Sequence, residues 1–184
     1  MTITHTDAVG VHVPFNEDFP VKYGTEYSTH HVFVRLQTDD GWMGYGEGTA
    51  LPWFTGDVTA GLEAVASDWL LPEVEGQSLN QAFTEVAEFR RRFPGAYGAM
   101  AAVEMALLDL KGKRLGVPLS TLLGAKVRDT IPIVSVLPAH DADTTRQKAS
   151  RAVADGYEHL KVNANGNVAT DVERINAVLS ELPA

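Results

Sequence analysis

Apolar and polar positions along the chain change rhythm several times, and each change marks an element. Residues 3–13 alternate loosely and read as a first strand. Over 15–29 Pro20, Gly24 and scattered aromatics break the alternation, which predicts a long loop. Residues 31–37 (HVFVRLQ) alternate as a half-buried strand, Asp40-Gly41 offers a turn, and 42–49 return, so this stretch reads as a β-hairpin with its glycines serving the hairpin. Residues 51–57 (LPWFTGD) form a second irregular loop with two aromatics. Helical spacing then takes over: Val58, Leu62, Val65 and Trp69 share a stripe that Pro72 should end. Ser78 and Gln81 make a capping box ahead of Ala82, Val86, Phe89 and Phe93.

The third helix is the most fully specified element. Val103, Ala106, Leu107 and Leu110 recur at i, i+3, i+4, i+7, and the surrounding alanines and Gly112 allow a neighbouring backbone to approach closely. Lys111, Lys113 and Arg114 suit the helix C-terminus, and Asp109 can pair with Lys113. Gly116 offers a left-handed stop and Pro118 blocks continuation.

From Thr130 the pattern becomes βαβα. Residues 131–137 (IPIVSVL) are nearly all apolar, as in a strand buried on both faces. Asp143 can cap a helix running to Asp155, closed by Gly156, and 157–163 (YEHLKVN) read as the next strand. Thr170 and Glu173 form a capping box for a last helix striped by Val172, Ile175 and Leu179. The organisation is thus an α+β domain over 1–128 (strand, hairpin, three helices), followed over 129–184 by two βα units of a parallel α/β architecture.

Composition narrows the function classes. A 45% apolar and 21% charged chain of 184 residues can bury an ample core. The net charge of −9 argues against a nucleic-acid partner and against anionic membrane surfaces. No apolar run approaches membrane-spanning length. The start MTITHTDAVG has neither the charged nor the apolar region of a signal peptide, and the absence of cysteine fits a cytoplasmic setting. The histidines form no metal-binding pattern, with His30 and His31 adjacent on a strand and so on opposite faces. Neither a phosphate-binding glycine loop nor a serine nucleophile elbow occurs.

The run A-x-A-A-V-E-x-A-L-x-D-L-x-G-K-x-L-G-V-P-L from Ala99 resembles the helix signature of the enolase superfamily, in its mandelate racemase and muconate lactonizing enzyme branch. The resemblance implies a capping domain leading into a (β/α) TIM-like barrel, incomplete in this chain, with Glu104, Asp109 and Lys113 structural. It also places the string G-Y-E-H-L-K-V-N from Gly156 on the family's second barrel strand, which ends in lysine, any residue, lysine. Lys161 takes the first of these positions. Asn163 takes the second, where the family keeps the base that removes a proton α to a carboxylate. An amide cannot accept that proton, though it can hydrogen-bond an enolate oxygen.

Barrels carry their catalytic groups at the C-terminal ends of the strands, which makes Lys161 and Asn163 the candidate catalytic residues. Ser135 interrupts an apolar strand; its hydroxyl either satisfies a neighbouring carbonyl or contacts substrate from the barrel mouth. In the family the two irregular loops close over that mouth, so Phe19, Tyr23 and Phe54 are candidate substrate-wall residues. The Thr55-Gly56-Asp57 triplet resembles a loop common among dipeptide epimerases.

The implied chemistry is α-proton abstraction from a small carboxylate, with the enolate held on Mg²⁺. The expected metal ligands come from the three strands that follow in the family, so this chain is expected to supply none. A cycloisomerase or epimerase is the leading expectation, an acid dehydratase the alternative. From another class, the chain as given could be a non-catalytic fragment or a capping module. The full-length family member is expected to be a homo-oligomer.

Overall fold

The computed structural model describes residues 1–124 and 126–182. They fall into two compact units, Met1–Val13 with Ser28–Val127, and Pro14–Tyr27 with residues from Arg128 onward.

A sheet of β1 (Ile3–Val21), β2 (Gly24–Thr38) and β3 (Met43–Thr49), in the order β1-β2-β3, supplies the strands of the first unit, apart from residues 14–27, which belong to the second. β2 and β3 run antiparallel with Val34 opposite Gly46, and the turn between them carries Gly41 at φ +86°. Val32, Val34 and Leu36 are buried while Phe33 and Arg35 face out, the alternation expected of a half-buried strand. Residues 15–29 correct the expectation of a loop. β1 runs unbroken to Val21 and β2 starts at Gly24, so this segment is the outer part of a long hairpin turning at Lys22-Tyr23. Pro14 and Pro20 do not interrupt it because β1 is an edge strand, where a missing N–H need not cost a ladder bond.

Helix α1 (Thr59–Ala64) passes through a π-helical stretch, Val65–Leu70, into α2 (Leu71–Val74). The wider π turn puts Leu62, Ala66 and Leu70 on the buried face and turns Trp69, expected inside, to solvent at 61% exposure. Nor does Pro72 end the helix. Leu71 donates five residues back to Ala66 O, and Pro72, with no N–H to place, sits in the first turn where α bonding resumes.

Helix α3 (Leu79–Arg92) is capped by Ser78, whose side chain accepts the Gln81 N–H. It buries Ala82, Val86 and Phe89, with Phe93 half-buried just beyond its end. Helix α4 (Tyr97–Leu115) lies against β3 and buries Ala99, Ala102, Val103, Ala106, Leu107 and Leu110; Gly116 ends it at φ 65°. The strand glycines are more than turn residues. A Cβ on Gly44, Gly46 or Gly48 would collide with the carbonyls of Ala106, Ala102 and Gly98, so each stands where strand and helix backbones touch. Asp109 accepts the Tyr45 N–H and pairs with Lys113 at 2.6 Å, Lys113 also donates to Met43 O, and Glu104 pairs with Arg90. Through these contacts Asp109 and Lys113 tie α4 to β3, and Glu104 ties α4 to α3. The short α5 (Leu119–Leu122) follows.

The second unit contains β4 (Val134–Leu137), α6 (Ala142–Ala154), β5 (His159–Val162) and α7 (Val168–Leu179), with β4 and β5 parallel. Leu137, Ala149 and Val178 form its core with Leu160 and Val162 against them. The strand over 131–137 is shorter than expected, leaving Ile131 and Ile133 outside it and exposed, and it is buried on one face only, since Val134 and Val136 are exposed while Leu137 is buried. Asp141 caps α6 in place of Asp143, and Asn167 caps α7 in place of Thr170. The stripe of Val172, Ile175 and Leu179 faces solvent, while Arg174, Ala177 and Val178 are buried. Two stripes compete on α7, and the buried one brings Arg174 to the strand ends.

Candidate functional site

In the register of the parallel pair, Ser135 lies opposite Leu160, Val136 opposite Lys161 and Leu137 opposite Val162. Leu137, Leu160 and Val162 belong to the apolar cluster, so their face of the sheet meets the helices. Lys161 therefore occupies the other face, beside Val136. The Asn163 N–H continues the ladder to Leu137 O at 3.0 Å, which returns Asn163 to the Lys161 face two residues on. The structure thus puts the two candidate catalytic residues on one face at the C-terminal exit of β5. Lys161 is exposed and has no ion pair among the described residues.

Ser135 belongs to the opposite, helix-packed face and does not join that pair. It lines an open groove of about 810 Å³ with Phe19, Gln147, Arg151 and Tyr157. Phe19, half-buried, stacks on Phe15 with ring centroids 5.3 Å apart. The hairpin tip is tied into the same unit by the Ala139 N–H on Pro20 O at 2.9 Å and by Lys148 on Glu17 at 2.5 Å. The Lys148 ammonium holds the Glu17 carboxyl below its ordinary value, by hydrogen bond first and by charge second. Tyr23 sits at the turn with its hydroxyl donating to Glu26 at 3.3 Å. Partial desolvation, reinforced by the Glu26 charge, raises its phenol above the ordinary value. Phe54 belongs to the first unit, at 75% exposure, in a loop folded by the Phe54 and Thr55 N–H groups on Leu51 O and by Gly56 at φ +79°.

Asp171 and Arg174 escaped the sequence reading. Asp171 accepts the N–H groups of Asn165 and Gly166 at 3.0 and 3.1 Å and pairs with Arg174 at 3.0 Å. Chiefly the Asn165 N–H, against partial desolvation, keeps its carboxyl below the ordinary range. Arg174 was detectable as a charge in phase with Ala177 and Val178, at i, i+3 and i+4. The residues described do not fit a metal: no group of three or more His, Cys, Asp or Glu side chains among them is arranged to hold one. No described helix is long and apolar enough to cross a membrane.

Comparison with known proteins supplies the remaining context. The family model described as the mandelate racemase / muconate lactonizing enzyme N-terminal domain matches residues 4–124. N-succinyl-L-Arg/Lys racemase from Bacillus cereus is 29% identical over 178 residues, covering 97% of this chain and 48% of that protein. A chloromuconate cycloisomerase from Cupriavidus pinatubonensis is 33% identical over 156 residues, covering 82% and 42%. The substrate-liganded L-Ala-D/L-Glu epimerase from Bacillus subtilis matches in structure with a TM-score of 0.90 at 28% identity, covering 100% of this chain and 51% of that one. The chain spans about half the length of the relatives it matches.

Proposed function

This chain belongs to the mandelate racemase / muconate lactonizing enzyme branch of the enolase superfamily, and from that premise we propose that it serves α-proton abstraction from a small carboxylate. Its relatives are racemases, epimerases and cycloisomerases, which supports that reaction class. The observation that carries the reading is the placement of Lys161 and Asn163 on one face at the exit of β5. There the Lys161 ammonium stabilises negative charge developing on the carboxylate oxygens, and the Asn163 amide donates a hydrogen bond. Asn163 cannot take a proton, so one face of the substrate lacks the base that the family keeps at this position. Cycloisomerisation, which needs a single proton abstraction, therefore fits this chain better than two-base racemisation. Dehydration, equally a one-base reaction, is the second reading that Asn163 favours. Mg²⁺ is the family expectation, and the described residues of this chain supply no group of three or more His, Cys, Asp or Glu side chains to hold it.

The test is α-proton exchange in deuterated water for protein carrying this segment, with N-succinyl amino acids, dipeptides and the lactones of muconates as probes. Deuterium should enter from a single face. Lys161→Ala should slow exchange on the order of a hundredfold to a thousandfold, as for loss of one positioned donor. Asn163→Ala should cost less. Rapid exchange on both faces with Asn163 in place would overturn the one-base assignment.

A further inference from the structure

A guanidinium withdrawn from water is costly unless its N–H groups find acceptors. Arg174 has no exposed surface. Its Nη1 donates to Asn163 O at 2.8 Å and to Asp171 Oδ1 at 3.0 Å, its Nη2 donates to Pro138 O at 2.9 Å, and its Nε reaches Thr145 Oγ1 at 3.4 Å. The two carbonyls are those of the residues that immediately follow β4 and β5. One planar fork thus bridges both strand exits. Asn163 is held from two sides, its N–H by Leu137 O and its carbonyl by Arg174.

We propose that Arg174 is a positioning residue, which fixes the backbone at the exit of β5 and so sets the direction of the Asn163 and Lys161 side chains. The inference rests on reading that face as the reactive one. A lysine would keep the charge but lacks the rigid fork that reaches two carbonyls at once. A role in packing alone would be spread over the Leu137, Ala149 and Val178 cluster and would not single out the strand exit.

Nuclear magnetic resonance on the 184-residue chain separates these roles in Arg174→Lys and Arg174→Met. The readouts are the side-chain amide of Asn163, the Lys161 Cε signal and exchange of the Asn163 N–H, with the Leu137, Ala149 and Val178 methyls as reference. In both variants the reference methyls should stay in place while the Asn163 and Lys161 signals shift. Exchange at Asn163 should quicken about tenfold relative to α6, the scale of one lost hydrogen bond. If Arg174→Met does not fold, Arg174→Lys decides alone. Wild-type Asn163 and Lys161 signals in Arg174→Lys would overturn the proposal, as would site signals that move only in step with the reference methyls. No readout needs turnover, so a chain inactive toward every probe would count against the proposed function and leave this test intact.

Discussion

Gly44, Gly46 and Gly48 show how much a single missing methyl can decide. Alternate positions of β3 carry no side chain, and the carbonyls of α4 occupy the space that a Cβ would fill. The alanines of α4 signalled a close neighbour from the sequence, while the glycines read as turn residues because a hairpin explains glycine so readily. Only Gly41, at φ +86° in the turn, answers to that explanation. Gly46 is the tightest position, facing the Ala102 carbonyl, and backbone cannot swing aside as a side chain can. Gly46→Ala should therefore destabilise the first unit by about 3 kcal/mol or more, at the upper end for overpacking. Thermal unfolding checks this against Gly61→Ala, where the added methyl meets only a Val58 methyl at 3.4 Å. Equal melting temperatures for the two variants would mean that β3 and α4 can part without cost.

Elements were legible where one local signal dominated. The β2–β3 hairpin, the Ser78 cap, α4 with its Gly116 stop and the βαβα order all follow from short-range spacing. What escaped was decided by tertiary position. An edge strand absorbs Pro14 and Pro20, a π turn rephases Trp69, and carbonyls at two strand ends select which stripe of α7 is buried. Lys161 and Asn163 could be placed from a motif, whereas spacing puts Arg174 in phase with Ala177 and Val178 without naming the carbonyls it reaches. The caps of α6 and α7 shifted by two or three residues, because several Asp, Asn and Thr residues compete at each N-terminus.

The α6 cap predicts a pH dependence. Asp141 accepts the Thr144 N–H at 2.9 Å and the Thr144 hydroxyl at 2.8 Å, and the backbone bond foremost lowers its carboxyl from 3.8. The folded helix therefore favours the ionised form. Its contribution is fully present above pH 3.8 and is lost as pH falls through the lower folded value. Acid titration followed by α6 backbone shifts should show the helix fraying below about pH 4. Asp141→Asn keeps a capping oxygen without the titration, so it should flatten that part of the curve. An unchanged acid profile in Asp141→Asn would assign the loss to other carboxyls, such as Asp171.

At the scale of the molecule, the two units differ in how much apolar surface they bury. The first joins sheet and helices in a continuous cluster that includes Val34, Leu36, Val86, Phe89, Val103, Leu107 and Leu110. The second rests on Leu137, Ala149 and Val178, while Ile131, Ile133, Val172, Ile175 and Leu179 stay exposed. Among the described residues β4 and β5 are paired only with each other, and a two-stranded sheet has little independent stability without packing on its faces. Opening free energies should therefore separate. In the 184-residue chain, amides of β2 and α4 should exchange only through global unfolding, whereas those of β4, β5 and α7 open on their own. The expected gap is on the order of a hundredfold or more in protection, since even one or two buried side chains of this size are worth that factor. Hydrogen exchange resolved by peptide checks it. Uniform protection across both units would mean that the exposed apolar faces of β4 and α7 are covered in solution, and the second unit would then draw its stability from that cover.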